Sequence, residues 1–549
     1  MSRGALFGRA GACFVGASLA AMLGLTEMAC SRSRADVAST EASREDTVEP
    51  SGVAAPAEVQ TASWTVSPPE PKSPTLSHMG RRGEGDGGDV LVEAPHDGPR
   101  LYAKTRFTWI RRQPSAESPW IGYLWLGGVV ALRDEKPRGG PGCSALWQPV
   151  EPRGWVCPNG AFATLDPNDP VVTALAPFRP NLESPWPHRY GSVFEATERY
   201  EVLPDARTQR ARERYRSRHL AEIERARRGE PPSADFLGVD FSPASKKSLS
   251  LPRFPTGVTE GRTKMPRRST LAYAEEVEQE GRTFLLAADM SWVPKDYVKP
   301  FPQSEFQGVE LSDATRLVAF FRTAGGLEYR LDASGALERS GKELPRLGSV
   351  FLTGRVREVG ADVFHETISG AWVREADAVI PHPQGNTPWG AVVGRTDETG
   401  RAPAGRATWI EVSILGGWLL AYEGTRPVYA TLISAGHGGS ARPGADPLLD
   451  SSTPTGHFRI NGKFATATMT SPTGIVHGDV PWTQNFVGPY AIHAAYWHDD
   501  FGSLQSGGCV NVSPRDGKWL FDFSEPSLPS GWHGVRSGDG PSTSVVLHD

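Results

Sequence analysis

A cysteine at position 509 follows a serine and two glycines, Ser506-Gly507-Gly508-Cys509, and a histidine, His493, closes the apolar run Tyr490-Ala491-Ile492 sixteen residues earlier. Small neighbours let a substrate approach the sulfur. They also let backbone N–H groups point at a developing oxyanion. A thiol near its free pKa is mostly protonated at neutral pH, so a histidine within reach would generate the thiolate and later protonate a leaving amine. Each residue alone has a plainer reading: Cys509 as a buried structural thiol, His493 as a core or surface histidine. A zinc site from His493, His498, Asp499 and Cys509 lacks a paired-cysteine or His-Glu-x-x-His spacing, and no metal is expected.

Which thiols are free depends on the compartment. Arg3 and Arg9 give a positive start, and Ala10 to Leu25 is an apolar, small-residue stretch too short and too weakly apolar for a membrane span. It ends at Met28-Ala29-Cys30, so residues 1–30 read as an export signal with Cys30 a lipidation candidate. Glu27 departs from the aliphatic residue usual in lipoprotein signals, and cleavage near Ala29 with an idle Cys30 is the alternative. The expected location is the periplasm or cell envelope, with membrane contact only through such an anchor. Of the five cysteines, Cys13 would leave with the signal. Cys143 and Cys157, 14 residues apart, are expected to form a disulfide worth about 3 kcal/mol in an oxidising compartment. Cys509 is then the thiol left over.

The elements that must hold Cys509 and His493 are strands. Ala407–Ile414 alternates, Gly416-Gly417 reverses it, Trp418–Glu423 returns as a hairpin, and Pro427–Ser434 is a third strand. Asp516–Phe523 is the one helix expected there. The 549 residues suggest three or four domains, and 38% hydrophobic residues with 16 Trp suffice for real cores. With 60 Gly and 47 Pro the chain fits β-rich domains with many turns, and a net charge of −5 gives no global signature of nucleic-acid binding.

Upstream, residues 31–95 read as a disordered tether rich in Ser, Pro, Glu, Ala and Gly. Residues 96–165 carry short aromatic β runs that close on Gly154-Trp155-Val156 and resemble a bacterial SH3-like module. The Trp-Val phrase recurs at Trp292-Val293 and Trp372-Val373, so 269–395 is expected to hold one or two related small β modules. The region 166–268 is less legible. Within it, 206–229 reads as a basic, solvated helix anchored by Leu220 and Ile223, and 230–268 as loop.

With these residues in view, the segment from Tyr490 to Pro514 resembles the signature of the L,D-transpeptidases, the YkuD-type catalytic domain: a histidine, a spacer, then Ser-His-Gly-Cys-Val/Ile followed by Arg or Asn. Cys509-Val510-Asn511-Val512-Ser513-Pro514 matches the variant with Asn and Val-Ser-Pro, and Ser452-Thr453-Pro454-Thr455-Gly456-His457-Phe458 is similar to the family's Thr-Pro-x-Gly-x-Phe strand. Pro481-Trp482-Thr483-Gln484-Asn485-Phe486 and Tyr496-Trp497-His498-Asp499-Asp500-Phe501-Gly502 resemble one branch of the family. Two positions depart from the pattern. Gly507 replaces the usual His, and Ala494 replaces the usual Gly or Ser.

The resemblance implies a mainly β protein, with a β-sandwich catalytic domain over 400–549 preceded by the small SH3-like modules. It implies that Cys509 attacks a peptidoglycan tetrapeptide stem with loss of D-Ala, and that His493, oriented by the main-chain carbonyl of Ala494, moves the protons. Gly508, Cys509 and Ser506 would hold the oxyanion. Tyr490, Trp482, Trp497, His477 and Asn511 are candidates for the substrate groove, and no metal or organic cofactor is required. The acceptor could be another stem peptide, water, or a protein amine, in which case the partner is an outer-membrane or envelope lipoprotein. A wall-binding protein without activity is the alternative from another class.

Overall fold

The computed structural model describes residues 98–549 apart from 245, 248, 250, 252–262, 312–316, 324, 396–406, 472–473 and 539. The expected signal with Cys30, and the expected tether 31–95, lie outside the described residues. The protein is mainly β.

The C-terminal part is two facing sheets. In the first, Gly456–Arg459, Ser544–His548, Thr408–Ser413, Trp418–Glu423, Arg426–Leu432 and Val309–Glu310 lie side by side, parallel only between Thr408–Ser413 and Ser544–His548. In the second, Gly462–Thr470, Val476–Val487 and Tyr490–Ala494 run as an antiparallel meander. Val510–Val512 is then added parallel to Tyr490–Ala494. Ile410, Val412, Leu419 and Tyr429 of the first sheet meet Phe486, Tyr490, Ile492, Val510 and Val512 of the second in one core. Alternate residues face inward on each sheet, as half-buried strands require.

A helix, Pro514–Phe523, closes this core with Leu520 and Phe523. It begins two residues before the sequence expectation because Ser513 is its N-cap, with Oγ accepting from the Asp516 N–H at 3.1 Å, and Pro514 sits where a missing N–H costs nothing. Its last carbonyls receive the buried Lys463 ammonium, which reaches Phe521 O and, at 2.8 Å, Ser524 O. Asp516 is fully buried and takes hydrogen bonds from Tyr429, Thr431, Ser513 and the Gly308 N–H.

The upstream strands are not beads on a string. Trp120–Leu124 pairs with Gly534–Arg536, and Thr270 of Thr270–Gln279 pairs with His477, so one continuous sheet runs from the first β region through the C-terminal meander to the second. Trp532 and Val535 complete the core around Leu101, Ile110 and Val156. A third, six-stranded sheet from 317 to 374 stands apart. Its Phe320 nevertheless packs with Trp409, Trp418 and Leu432, which explains why Thr408–Ser413 is buried on both faces. Cys143 and Cys157 are joined, with 5.7 Å between their Cα atoms.

The second and third Trp-Val phrases sit in the same local structure, a hairpin, a tight turn, a three-residue strand (Trp292–Pro294; Trp372–Arg374) and a 3-10 turn (Lys295–Tyr297; Glu375–Asp377). The first, Trp155–Val156, is a two-residue strand in a different setting. The basic segment departs from expectation. It is two helices, Ala206–Arg212 and Arg216–Arg227, and its buried face is polar: His219 and Glu222 are buried, whereas Leu220 and Ile223 are only half so. The break at Glu213 lets that carboxylate turn inward to the buried Arg282, 2.9 Å away, which also pairs with Asp296 at 2.8 Å. The chain after it is not all loop, since Phe236 in a short 3-10 turn is fully buried and Lys264–Met265 is a strand.

Candidate active site

The parallel pairing of Tyr490–Ala494 with Val510–Val512 sets Ile492 beside Val510, His493 beside Asn511 and Ala494 beside Val512. Alternation then sends Ile492, Val510 and Val512 into the core, and puts His493, Asn511 and Cys509 on the opposite face. Cys509 and His493 are diagonal neighbours across this pair. A parallel pair cannot be closed by a tight hairpin. The connection 495–509 is the crossover, which gives the sixteen-residue spacing its physical meaning.

His493 is 3% exposed, and its Nδ1 donates to the Ala494 carbonyl at 3.2 Å. Nε2 is therefore the nitrogen left to accept a proton. Burial pulls its pKa down to about 4, a drop opposed by that carbonyl and deepened by His477 and His498 nearby. Cys509 is the one free cysteine among the described residues and is partly exposed, with Sγ 3.9 Å from the Pro489 carbonyl oxygen. Burial pushes its thiol up to about 11, against the Ala491 backbone N–H. The resting pair is neutral thiol and neutral imidazole.

The loop presenting the sulfur is held by hydroxyls. Ser506 Oγ accepts from the Gly508 N–H at 3.0 Å and donates to the Cys509 carbonyl at 2.5 Å. This corrects the expectation that Gly508 and Ser506 point at an oxyanion: their donors are already committed to closing the Gly-Gly turn. Thr453 Oγ1 donates to the Gly508 carbonyl and accepts from the Gly436 N–H, both at 2.9 Å. Its bracing role was signalled only by its place in the Thr-Pro motif. Gly508 has φ +127°, and a Cβ there would lie 2.6 Å from the Tyr490 ring and 2.8 Å from the Ser452 carbonyl oxygen. Gly507 is exposed, and a Cβ there would meet nothing within 4 Å.

The expected groove residues divide. Trp497 is half-buried, its ring 4.7 Å from His477 and 5.8 Å from His493, so these three form one wall. Tyr490 lies against Gly508 with its ring in the core. Asn511 is 1% exposed, bonds Ser434 through its main chain in both directions, and offers a side-chain amide with no partner among the described residues. His477 Nδ1 and His498 Nε2 are likewise buried without partners. Trp482 is not in the groove. It is 1% exposed, packs on Ala494 and Phe521, and gives its indole N–H to Pro185 O at 2.9 Å, because its strand turns that ring toward the helix. Tyr496, which the sequence places in a family-like stretch without assigning it a role, is fully packed between this wall and Tyr190, with ring centres 3.9 Å apart. Among the described residues no group of three or more His, Cys, Asp or Glu could hold a metal ion, and no helix is long and apolar enough to cross a membrane.

Residues 389–545 match the family model of the L,D-transpeptidase catalytic domain, YkuD. Solved structures similar to part of the chain include the L,D-transpeptidase from Xylanimonas cellulosilytica DSM 15894 (24% identity, 26% of this chain and 60% of that one, TM-score 0.19). They also include the catalytic domain from the E. faecium L,D-transpeptidase (22%, 27% and 100%, TM-score 0.19) and an L,D-transpeptidase from Mycobacterium tuberculosis H37Rv (18%, 36% and 77%, TM-score 0.19). The chain spans 60% and 49% of the first two solved chains it matches. No curated protein matches the sequence. Over residues 389–545 the chain is thus similar to the YkuD-type L,D-transpeptidase catalytic domain.

Proposed function

We propose that this protein is a peptidoglycan L,D-transpeptidase of the cell envelope, with Cys509 as nucleophile and His493 as general base and acid. The observation that carries the reading is the register that puts both side chains on one face, with Nδ1 of His493 tied to Ala494 and Nε2 left over. In the first step the Cys509 thiol gives its proton to Nε2 as sulfur bonds to the stem-peptide carbonyl carbon. The tetrahedral intermediate then collapses, the C–N bond breaks, and Nε2 returns the proton to the departing D-Ala amine, leaving a thioester. An acceptor amine then attacks that carbonyl, gives its proton to Nε2, and sulfur leaves to regain it. With both groups neutral at rest, His493 withdraws the thiol proton during attack rather than before it.

The test uses the full chain without its signal, because strands far upstream pair with the catalytic sheet. Incubated with disaccharide-tetrapeptide and read by mass spectrometry, it should yield dimer with loss of D-Ala, absent in Cys509→Ala. Tripeptide alone would make it a carboxypeptidase, and a stem peptide on an added lipoprotein would make it an attachment enzyme. Unchanged substrate together with no carbapenem adduct on Cys509 would sink the enzyme reading.

A further inference from the structure

The loop between the proposed base and nucleophile is gripped from outside the catalytic domain. On one side, Tyr496 stacks on Tyr190 at 3.9 Å, touches Phe301 (ring centres 5.8 Å) and lies 2.5 Å through its hydroxyl from Thr270 Oγ1, while donating to the Gly478 carbonyl at 2.7 Å. On the other side, Phe306 stacks on Phe501 at 5.5 Å, Arg322 donates to the Gly502 carbonyl at 3.3 Å, Arg346 reaches Asp500 at 3.2 Å and the Asp499 carbonyl, and Ser304 bonds Asp499. Between the two grips sit Trp497 and His498.

We propose that the upstream chain is a working wall of the reaction centre: it clamps loop 495–505 through Tyr496 and Phe501 so that Trp497 stays packed against His493, which makes Tyr496 a positioning residue for the transfer. This rests on the functional reading above. The argument is geometric. Trp497 meets Tyr496 edge-on at 4.9 Å and lies between His477 and His493, so any shift of Tyr496 moves the ring that keeps water from the base. A fifteen-residue crossover has no ladder of its own to hold it. Residues 433–435 hold it at isolated points, through the Gly502 N–H to the Ile433 carbonyl at 2.8 Å and the Gln505 and Ser506 N–H groups to the Ala435 carbonyl at 2.9 Å, and residues 190–346 add the grips on Tyr496 and Phe501. The titratable groups acting on His493 are His477 from its neighbouring strand and His498 from the loop, with Asp499 and Asp500 acting on His498.

The test compares full-length Tyr496→Phe with Tyr190→Phe. Both remove one buried hydroxyl from the same cluster, but only Tyr496→Phe frees the loop, since the Tyr190 hydroxyl bonds Asp479 O at 3.2 Å. Alkylation of Cys509 by iodoacetamide against pH reads the site without any need for transferase activity. In Tyr496→Phe, water reaching His493 and Cys509 should lower the midpoint of alkylation by about one pH unit and raise the rate at pH 8 about tenfold. Carbapenem acylation of the same variant should slow about tenfold, and Tyr190→Phe should match the parent in both. An alkylation profile in Tyr496→Phe that superimposes on the parent's, or the same shift in Tyr190→Phe, would overturn the clamp. Failure of the parent to turn over stem peptide would overturn the functional reading instead.

Discussion

His493 stands directly beside Asn511 in a parallel pair of short strands, and that single register puts Cys509 two residues along on the same face. Slipping the pairing by one residue would turn the sulfur into the core.

The pair should therefore be separable from the fold. Cys509→Ala is expected to abolish acylation, and His493→Gln to slow it by about a thousandfold or more. The urea midpoint of Cys509→Ala should move little, because the thiol is partly exposed. Stopped-flow acylation beside equilibrium unfolding checks both.

The two glycines before the cysteine should behave oppositely. Gly508→Ala forces a Cβ into the Tyr490 ring and the Ser452 carbonyl at a left-handed φ, and is expected to cost about 2 kcal/mol or more together with most activity. Gly507→Ala faces open space and should stay within about 0.5 kcal/mol of the parent. Urea unfolding of both variants, read with acylation rates, makes the comparison.

Asp516 gathers four donors in a site without solvent. Asp516→Ala leaves them unsatisfied beneath the helix that follows the catalytic strand and should destabilise by about 3–5 kcal/mol. Chemical denaturation at pH 7 measures it; a loss under 1 kcal/mol would contradict this account.

Acid should weaken the fold through its histidines. Burial lowers His493, His477 and His498 to about 4 and His533 to about 3. A folded-state pKa below the unfolded value of about 6.5 means the unfolded chain binds more protons, so their contribution is complete above pH 6.5 and is lost as pH falls toward 4. For fully buried His493 and His533 the slope is at most about 1.4 kcal/mol per pH unit each. Urea midpoints at pH 7 and pH 5 should differ accordingly, and His533→Gln should reduce the difference.

What the sequence determined by itself was chemistry and local shape. Ser506-Gly507-Gly508-Cys509 and the histidine before it mark a candidate nucleophile and a candidate base, Val512-Ser513-Pro514 announces a strand end and a helix start, and period-two alternation announces the hairpin at 408–423. These are readable because each depends on residues within a turn or a strand of one another. The basic segment was misread because helical periodicity was expected to bury aliphatic residues. Its inner face instead buries His219, Glu222 and Glu213, satisfied by partners far away in sequence such as Arg282. Only tertiary structure decided that Ser506 spends its hydroxyl on the loop, that Trp482 leaves the groove, and that Thr270 and Tyr123 extend the catalytic sheet from either side. The last two are pairings across hundreds of residues, set by which strand edges and donors remain unsatisfied once the cores have closed, and no spacing within the motifs encodes that competition; the Ser506 bonds are local, but the turn that forms them is set by the strands on either side.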